Sequence, residues 1–143
     1  MNLHFTNQQI VCIAGIGQII LATCSITIPK ILNWRGELTK VQPLIKQIFW
    51  TYACYILMIN LCFGLVSAFA YTDLCNGSRL AVLCSGFIAA YWISRILTQF
   101  FYFDRSSFPK GKWYMVGETL LVMLFVFLAS VYSFTAYHNY QLL

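Results

Sequence analysis

Four long apolar runs, at 9–29, 48–70, 80–103 and 114–137, divide the chain, and short polar stretches separate them. Each approaches or exceeds the about 20 residues that a helix needs to cross a hydrocarbon core of roughly 30 Å. Their apolar positions are continuous rather than alternating with a period of two, which favours membrane-spanning helices over the strands of a barrel. The expected fold class is an all-α integral membrane protein, a four-transmembrane-helix antiparallel bundle. The runs use most of the 143 residues, so a single domain over 1–143 is expected, with no room for a soluble one.

The connections carry patterns of their own. In the first, Leu38, Val41, Ile45 and Ile48 recur at helical spacings of three and four, and Pro43 interrupts them. Two readings follow: an interfacial helix over about 36–46 that bends at Pro43 into the second span, or a polar connector that begins that span early. The second connection, "YTDLCNGSR", has the Asn-Gly-Ser chemistry of a tight turn. Its "NGS" also matches a glycosylation acceptor, which has weight only in a eukaryotic secretory context. The third, "DRSSFPKGK", is short enough to make the third and fourth spans an antiparallel hairpin. No internal repeat is visible.

Composition removes the soluble alternative, because only 9% of residues are charged against about 25% in globular domains. The net charge of +5 is mostly a topology signal. Lys30, Arg35, Lys40 and Lys46 lie in the first connection and Arg105, Lys110 and Lys112 in the third, whereas Arg79 is alone in the second. This bias puts 30–47 and 104–113 in the cytoplasm and both termini outside, most simply in a bacterial inner (plasma) membrane. The amino-terminal stretch lacks a basic n-region and a small-residue cleavage pattern, so the first span is expected to be retained. Trp34, Trp50, Trp113, Phe101, Tyr102 and Phe103 fit an aromatic belt at one boundary, and Tyr71, Tyr137 and Tyr140 at the other. Nucleic acid is excluded as a partner, since no basic folded face exists.

Arg95 and Glu118 are the two basic or acidic residues inside the runs. A charge in hydrocarbon costs about 2.5–3.5 kcal/mol on insertion scales, so each needs a partner, a wet cavity or a route to the surface. Arg95 lies nine residues before Asp104, roughly 13 Å from the boundary, and Glu118 enters from the same side. An ion pair across the hairpin is expected. Tyr91, Arg95 and Gln99 share one helix face by their spacing of four. With Tyr52 and Tyr55 of the second span and Gln18 of the first, they and Glu118 make a candidate ligand-binding pocket in the cytoplasmic half, which Asn60 would extend outward. The plainer alternative is interhelical hydrogen bonding, worth about 0.6 kcal/mol per contact, with Arg95 fixing register or snorkelling to phosphate.

Small residues mark close-packing faces: Gly86, Ala90 and Ser94 on the third span, Gly64 and Ala68 on the second. Gly15 and Gly17 are too closely spaced to form one such face. The six cysteines include no CxxC pair, and Cys12, Cys24, Cys54, Cys62 and Cys84 fall within spans. Cys75 lies in the outer turn, where a disulfide to Cys84 is open in an oxidising compartment. His4 and His138 lack the ligand spacing of a metal or haem site, and no metal or cofactor is expected. No HExxH, P-loop, nucleophile elbow or Ser-His-Asp set is present.

Three functions compete. The first is binding or transport of an anionic or amphipathic small molecule, with Arg95 facing the ligand and Glu118 as counter-charge or proton carrier. The second is a non-catalytic accessory or assembly subunit of a larger membrane complex. The third, an enzyme acting on a lipid or quinone, is weakest because one carboxylate must serve as both acid and base. Expected partners are the lipid bilayer, an anionic or lipid-like ligand, and either further copies of the chain or other subunits.

Overall fold

The computed structural model describes residues 6–102 and 111–143, and within them every regular element is helical. The elements are α1 (Asn7–Ser25), α2 (Ile28–Ile31), α3 (Trp34–Glu37), a 3-10 turn (Leu38–Lys40), α4 (Pro43–Phe69), α5 (Tyr71–Leu74), α6 (Arg79–Phe101) and α7 (Lys112–Gln141). Four stretches are long and apolar enough to cross a membrane: Asn7–Ile31, Pro43–Phe69, Arg79–Phe101 and Lys112–Gln141. Contacts gather the chain into two compact units, Cys12–Tyr71 in one and Met1–Val11 with Thr72–Leu143 in the other.

In the first unit α1 and α4 touch backbone to backbone. A Cβ placed on Gly15 would lie 2.5 Å from the Ala68 nitrogen and 2.9 Å from the Gly64 oxygen, so only glycine permits this approach. Ile19 packs one turn along, its backbone nitrogen 3.0 Å from a Cβ placed on Gly64, and the Cys12 thiol donates to the Ala68 carbonyl at 3.8 Å. The small pair Gly64 and Ala68 therefore serves α1 of the same chain, and a lone Gly15 suffices opposite it. The stripe of Gly86, Ala90 and Ser94 on α6 differs. Nothing lies within 4 Å of a Cβ at Gly86, and Ala90 and Ser94 are exposed.

α1 ends in a cluster of hydroxyls. Thr23 donates to the Ile19 carbonyl at 2.8 Å, Ser25 to Ala22 at 2.7 Å and Thr27 to Cys24 at 2.7 Å. These bonds satisfy hydroxyls that the apolar surroundings would otherwise leave without partners, and near the end of α1 they share carbonyls with the backbone, as at Cys24, which also accepts from the Thr27 amide at 3.1 Å. Pro29 sits in the first turn of α2, where its missing N–H costs nothing.

Residues 36–46 do not form one interfacial helix. Val41 is extended (φ −107°, ψ 148°), and Pro43 occupies the first turn of α4. Proline disfavours helical backbone in the residue before it but is well suited to begin a helix, so Leu44, Ile45 and Ile48 belong to the span. The compact part of the connection lies earlier, in α2, α3 and the 3-10 turn. Trp34 meets Phe49 and Trp50 edge to face, with ring centroids 4.8 and 5.9 Å away.

In the second unit α6 and α7 pack along their length, with contacts that run in opposite sequence order. Gln99 meets Glu118, Trp92 meets Phe125, and the 74–77 turn meets Asn139. The buried faces repeat at helical spacing: Ala81, Ser85, Ile88, Ala89 and Trp92 on α6, and Phe125, Leu128, Tyr132, Thr135 and Asn139 on α7. Between α5 and α6 the expected turn forms, with Gly77 at φ 70° and the Asn76 side chain accepting from the Ser78 amide at 2.9 Å. Ser78 caps α6 by accepting from the Ala81 amide at 3.1 Å.

The residues Phe103, Asp104, Arg105 and Lys110 of the third connection, and His4, lie outside the described residues. Cys75 and Cys84 are both free thiols. Burial pushes the Cys75 thiol above its ordinary value of 9.0. Alkylation of Cys75 by iodoacetamide at pH 8 is therefore expected to be slower than that of an unstructured peptide thiol. Equal rates at pH 8 would show that the turn opens readily.

Candidate functional site

The apolar face of α6 becomes polar towards its carboxyl end. Trp92 is 1% exposed, and one and two turns further along the same face stand Arg95 and Gln99, both half-buried. On α7 the face that buries Phe125 begins two turns earlier with Glu118, also half-buried. Gln99 Nε2 donates to Glu118 Oε1 at 3.4 Å, a long hydrogen bond between uncharged and charged partners. Tyr91 is half-buried, with its ring edge-on to Trp92 at 5.3 Å.

Arg95 does not pair with Glu118. The Arg95 guanidinium carbon lies 5.6 Å from the centre of the Phe125 ring, within cation–π range. Among the described residues the ion pair present is Lys40 with Glu37, and no carboxylate reaches Arg95. Depth along the helix axes allows the expected pair, but side-chain direction does not. A helical Cα–Cβ bond tilts towards the amino terminus of its own helix. Arg95 thus leans back towards Trp92 and Phe125, whereas Glu118, on a helix running the other way, leans towards Gln99. The two charges diverge.

Of the other expected pocket residues, Gln18, Tyr52 and Tyr55 belong to the Cys12–Tyr71 unit. Gln18 is completely buried, while Tyr52 and Tyr55 are 64% and 67% exposed. Its neighbour Ile19 packs on Gly64, nine residues along α4 from Tyr55, or roughly 13 Å. Within that unit Gln18 and the two tyrosines therefore stand at different depths. Asn60 is 8% exposed, and its Oδ1 is buried without a hydrogen-bond partner. A buried acceptor left unmade costs about 1–3 kcal/mol, so Asn60→Leu is expected to raise the midpoint of thermal unfolding in mild detergent. A lower midpoint would mean that this carbonyl holds a partner in the membrane.

At the opposite end of the hairpin lies a buried polar group that sequence reasoning missed. Asn139 donates through Nδ2 to the Leu74 carbonyl at 2.6 Å and accepts at Oδ1 from the Gly77 amide at 3.1 Å. One turn away Thr135 donates to Asn7 Oδ1 at 3.2 Å. The available signal was spacing: Tyr132, Thr135 and Asn139 continue the apolar face of α7 past the end of the hydrophobic run. Among the described residues no three His, Cys, Asp or Glu side chains gather into a metal-ligating group.

Comparison with known proteins leaves this geometry to speak for itself: no family model, no curated protein and no solved structure matches the chain.

Proposed function

We propose that the chain is an integral multi-pass membrane protein, a single antiparallel four-helix transmembrane domain that binds the anionic head of an amphipathic small molecule at Arg95. Its termini face outward, and 30–47 and 104–113 face the cytoplasm of a bacterial inner membrane. The observation that carries this reading is Arg95 itself: a half-buried guanidinium in an apolar span, held against the Phe125 ring, with no carboxylate among the described residues to neutralise it. Such an arginine is costly in hydrocarbon unless an anion completes its surroundings. Gln99 engages Glu118, which supports the reading that this carboxylate is held by another partner than Arg95. Tyr91, one turn before Arg95 on α6, extends the same proposal along that span.

The test is native mass spectrometry of protein released gently from its own membrane. Arg95→Ala is expected to lose the retained amphiphile, or bind an added alkyl phosphate at least tenfold more weakly, while unfolding stability stays within about 1–2 kcal/mol of wild type. Loss of fold and of binding in parallel would reject the reading.

A second reading, that of an accessory subunit, is supported by the open stripe of Gly86, Ala90 and Ser94, small residues of the kind that admit another helix at close range. It predicts a stoichiometric partner protein that co-purifies with wild type and Arg95→Ala alike.

A further inference from the structure

The connection between α1 and α4 holds three basic residues, Lys30, Arg35 and Lys40, and one acidic residue, Glu37, and Lys46 follows in the first turn of α4. Glu37 is already engaged, its carboxylate 3.8 Å from Lys40 Nζ. Lys30, Arg35 and Lys46 have no ion-pair partner among the described residues, and the first two are exposed. The backbone that carries them is folded rather than loose. Asn33 takes a left-handed conformation at φ 47°, unusual for a residue with a side chain, and joins α2 to α3. That turn sets Trp34 against Phe49 and Trp50 at the start of α4, in a three-ring cluster.

The same segment carries Ile31, Leu32, Leu44 and Ile45, all exposed. Cations, aromatic rings and bare aliphatic side chains on one short segment are poorly matched to water and well matched to the headgroup boundary of a bilayer. Connectivity selects the same surroundings. The segment leaves one apolar helix and enters another, so no residue in it can stray far from the point where those helices cross the boundary.

We propose that residues 28–50 form a docking element for anionic phospholipids, in which Lys30, Arg35 and Lys46 engage headgroup phosphates while Trp34, Phe49 and Trp50 anchor the segment at the boundary. The inference rests on the membrane-spanning reading above but not on a ligand at Arg95. Each unpaired cation near an anionic leaflet contributes about fivefold in affinity, so removing three costs about a hundredfold.

The experiment titrates the full-length protein in neutral detergent with phosphatidylglycerol or with phosphatidylcholine of identical chains, counting bound lipids by native mass spectrometry. Wild type is expected to prefer phosphatidylglycerol, with a preference that weakens as salt rises. The combined Lys30→Gln, Arg35→Gln and Lys46→Gln variant is expected to bind phosphatidylglycerol about a hundredfold more weakly and phosphatidylcholine unchanged. Lys40→Gln, whose charge is already paired, moves affinity less than Lys30→Gln, and Lys30→Arg with Lys46→Arg restores it. The single variants and the salt series decide the matter if the triple variant does not fold.

Equal retention of both lipids, a preference untouched by the triple variant, or displacement by millimolar inorganic phosphate would overturn the proposal. Persistence of the preference in Arg95→Ala separates it from the intramembrane site. Release of wild type from membranes by alkaline carbonate would overturn the spanning reading and this inference together, whereas retention with no lipid preference defeats this inference alone.

Discussion

Gly15→Leu is expected to separate α1 from α4 and to lower stability by about 3 kcal/mol, the upper end of the range for overpacking. The three atoms that a new Cβ would meet, at 2.5, 2.7 and 2.9 Å, are all backbone atoms of α4. No rotamer change can move them aside, and the helices must part by an ångström or more. Parting breaks contacts on both sides of Gly15, including those of Ile19 with Gly64 and of Cys12 with Ala68. In a membrane this matters more than the volume alone suggests, because helix association there depends on close van der Waals contact rather than on expulsion of water. The check is unfolding in mixed micelles followed by circular dichroism. Gly86→Ala is the control: its Cβ meets nothing, so it should be neutral or slightly stabilising through helix propensity. Similar losses in both variants would remove the close approach as the cause.

Trp92→Ala is expected to cost about 3–5 kcal/mol, the range for emptying a large aromatic site in a packed interior. The indole is 1% exposed and meets Phe125 at a centroid distance of 5.3 Å and Tyr91 at 5.3 Å. Its removal leaves a cavity between α6 and α7 at the level where the ring of Phe125 receives Arg95. Trp92→Phe should recover about half of the loss by refilling part of that space. The discriminating readout is the shape of the unfolding transition: the α6–α7 hairpin should melt at lower denaturant than wild type without a change in starting helicity. A loss below about 1 kcal/mol would mean that the hairpin closes over the gap and that its core is less fixed than its burial implies.

The four spans were legible because apolar runs and membrane thickness constrain each other, and α6 departs from its run by only a residue or two at each end. Other boundaries shifted for local reasons. α4 begins at Pro43, five residues before its apolar run, because a proline that interrupts a helix also starts one well. α7 continues to Gln141 because Asn139, although polar, finds two backbone partners and so stays on the buried face. The close approach at Gly15 leaves no paired-glycine pattern in the sequence, since one bare position on α1 can match two small ones on α4.

The candidate site was legible in its members more than in its bonds. Spacing put Arg95 with Gln99 and set Glu118 opposite, but reasoning from depth ignored that side chains on oppositely running helices lean in opposite directions. Gln99 therefore holds the position that the guanidinium was expected to take. For Tyr52 and Tyr55 the sequence pattern carried depth alone. Residue counts from a boundary fix a level on one helix, yet they do not say which way a ring faces, and Tyr52 and Tyr55 face outward from the core.

Asn139 sits 62 residues after the glycine whose amide it accepts from and 65 after the carbonyl to which it donates. During synthesis the outer turn therefore precedes its partner, and those two backbone groups close onto Asn139 only after α7 has been made. α7 acts as a latch on a turn made much earlier, so truncation just before Asn139 should spare the insertion of the four spans and yet leave the turn open to protease.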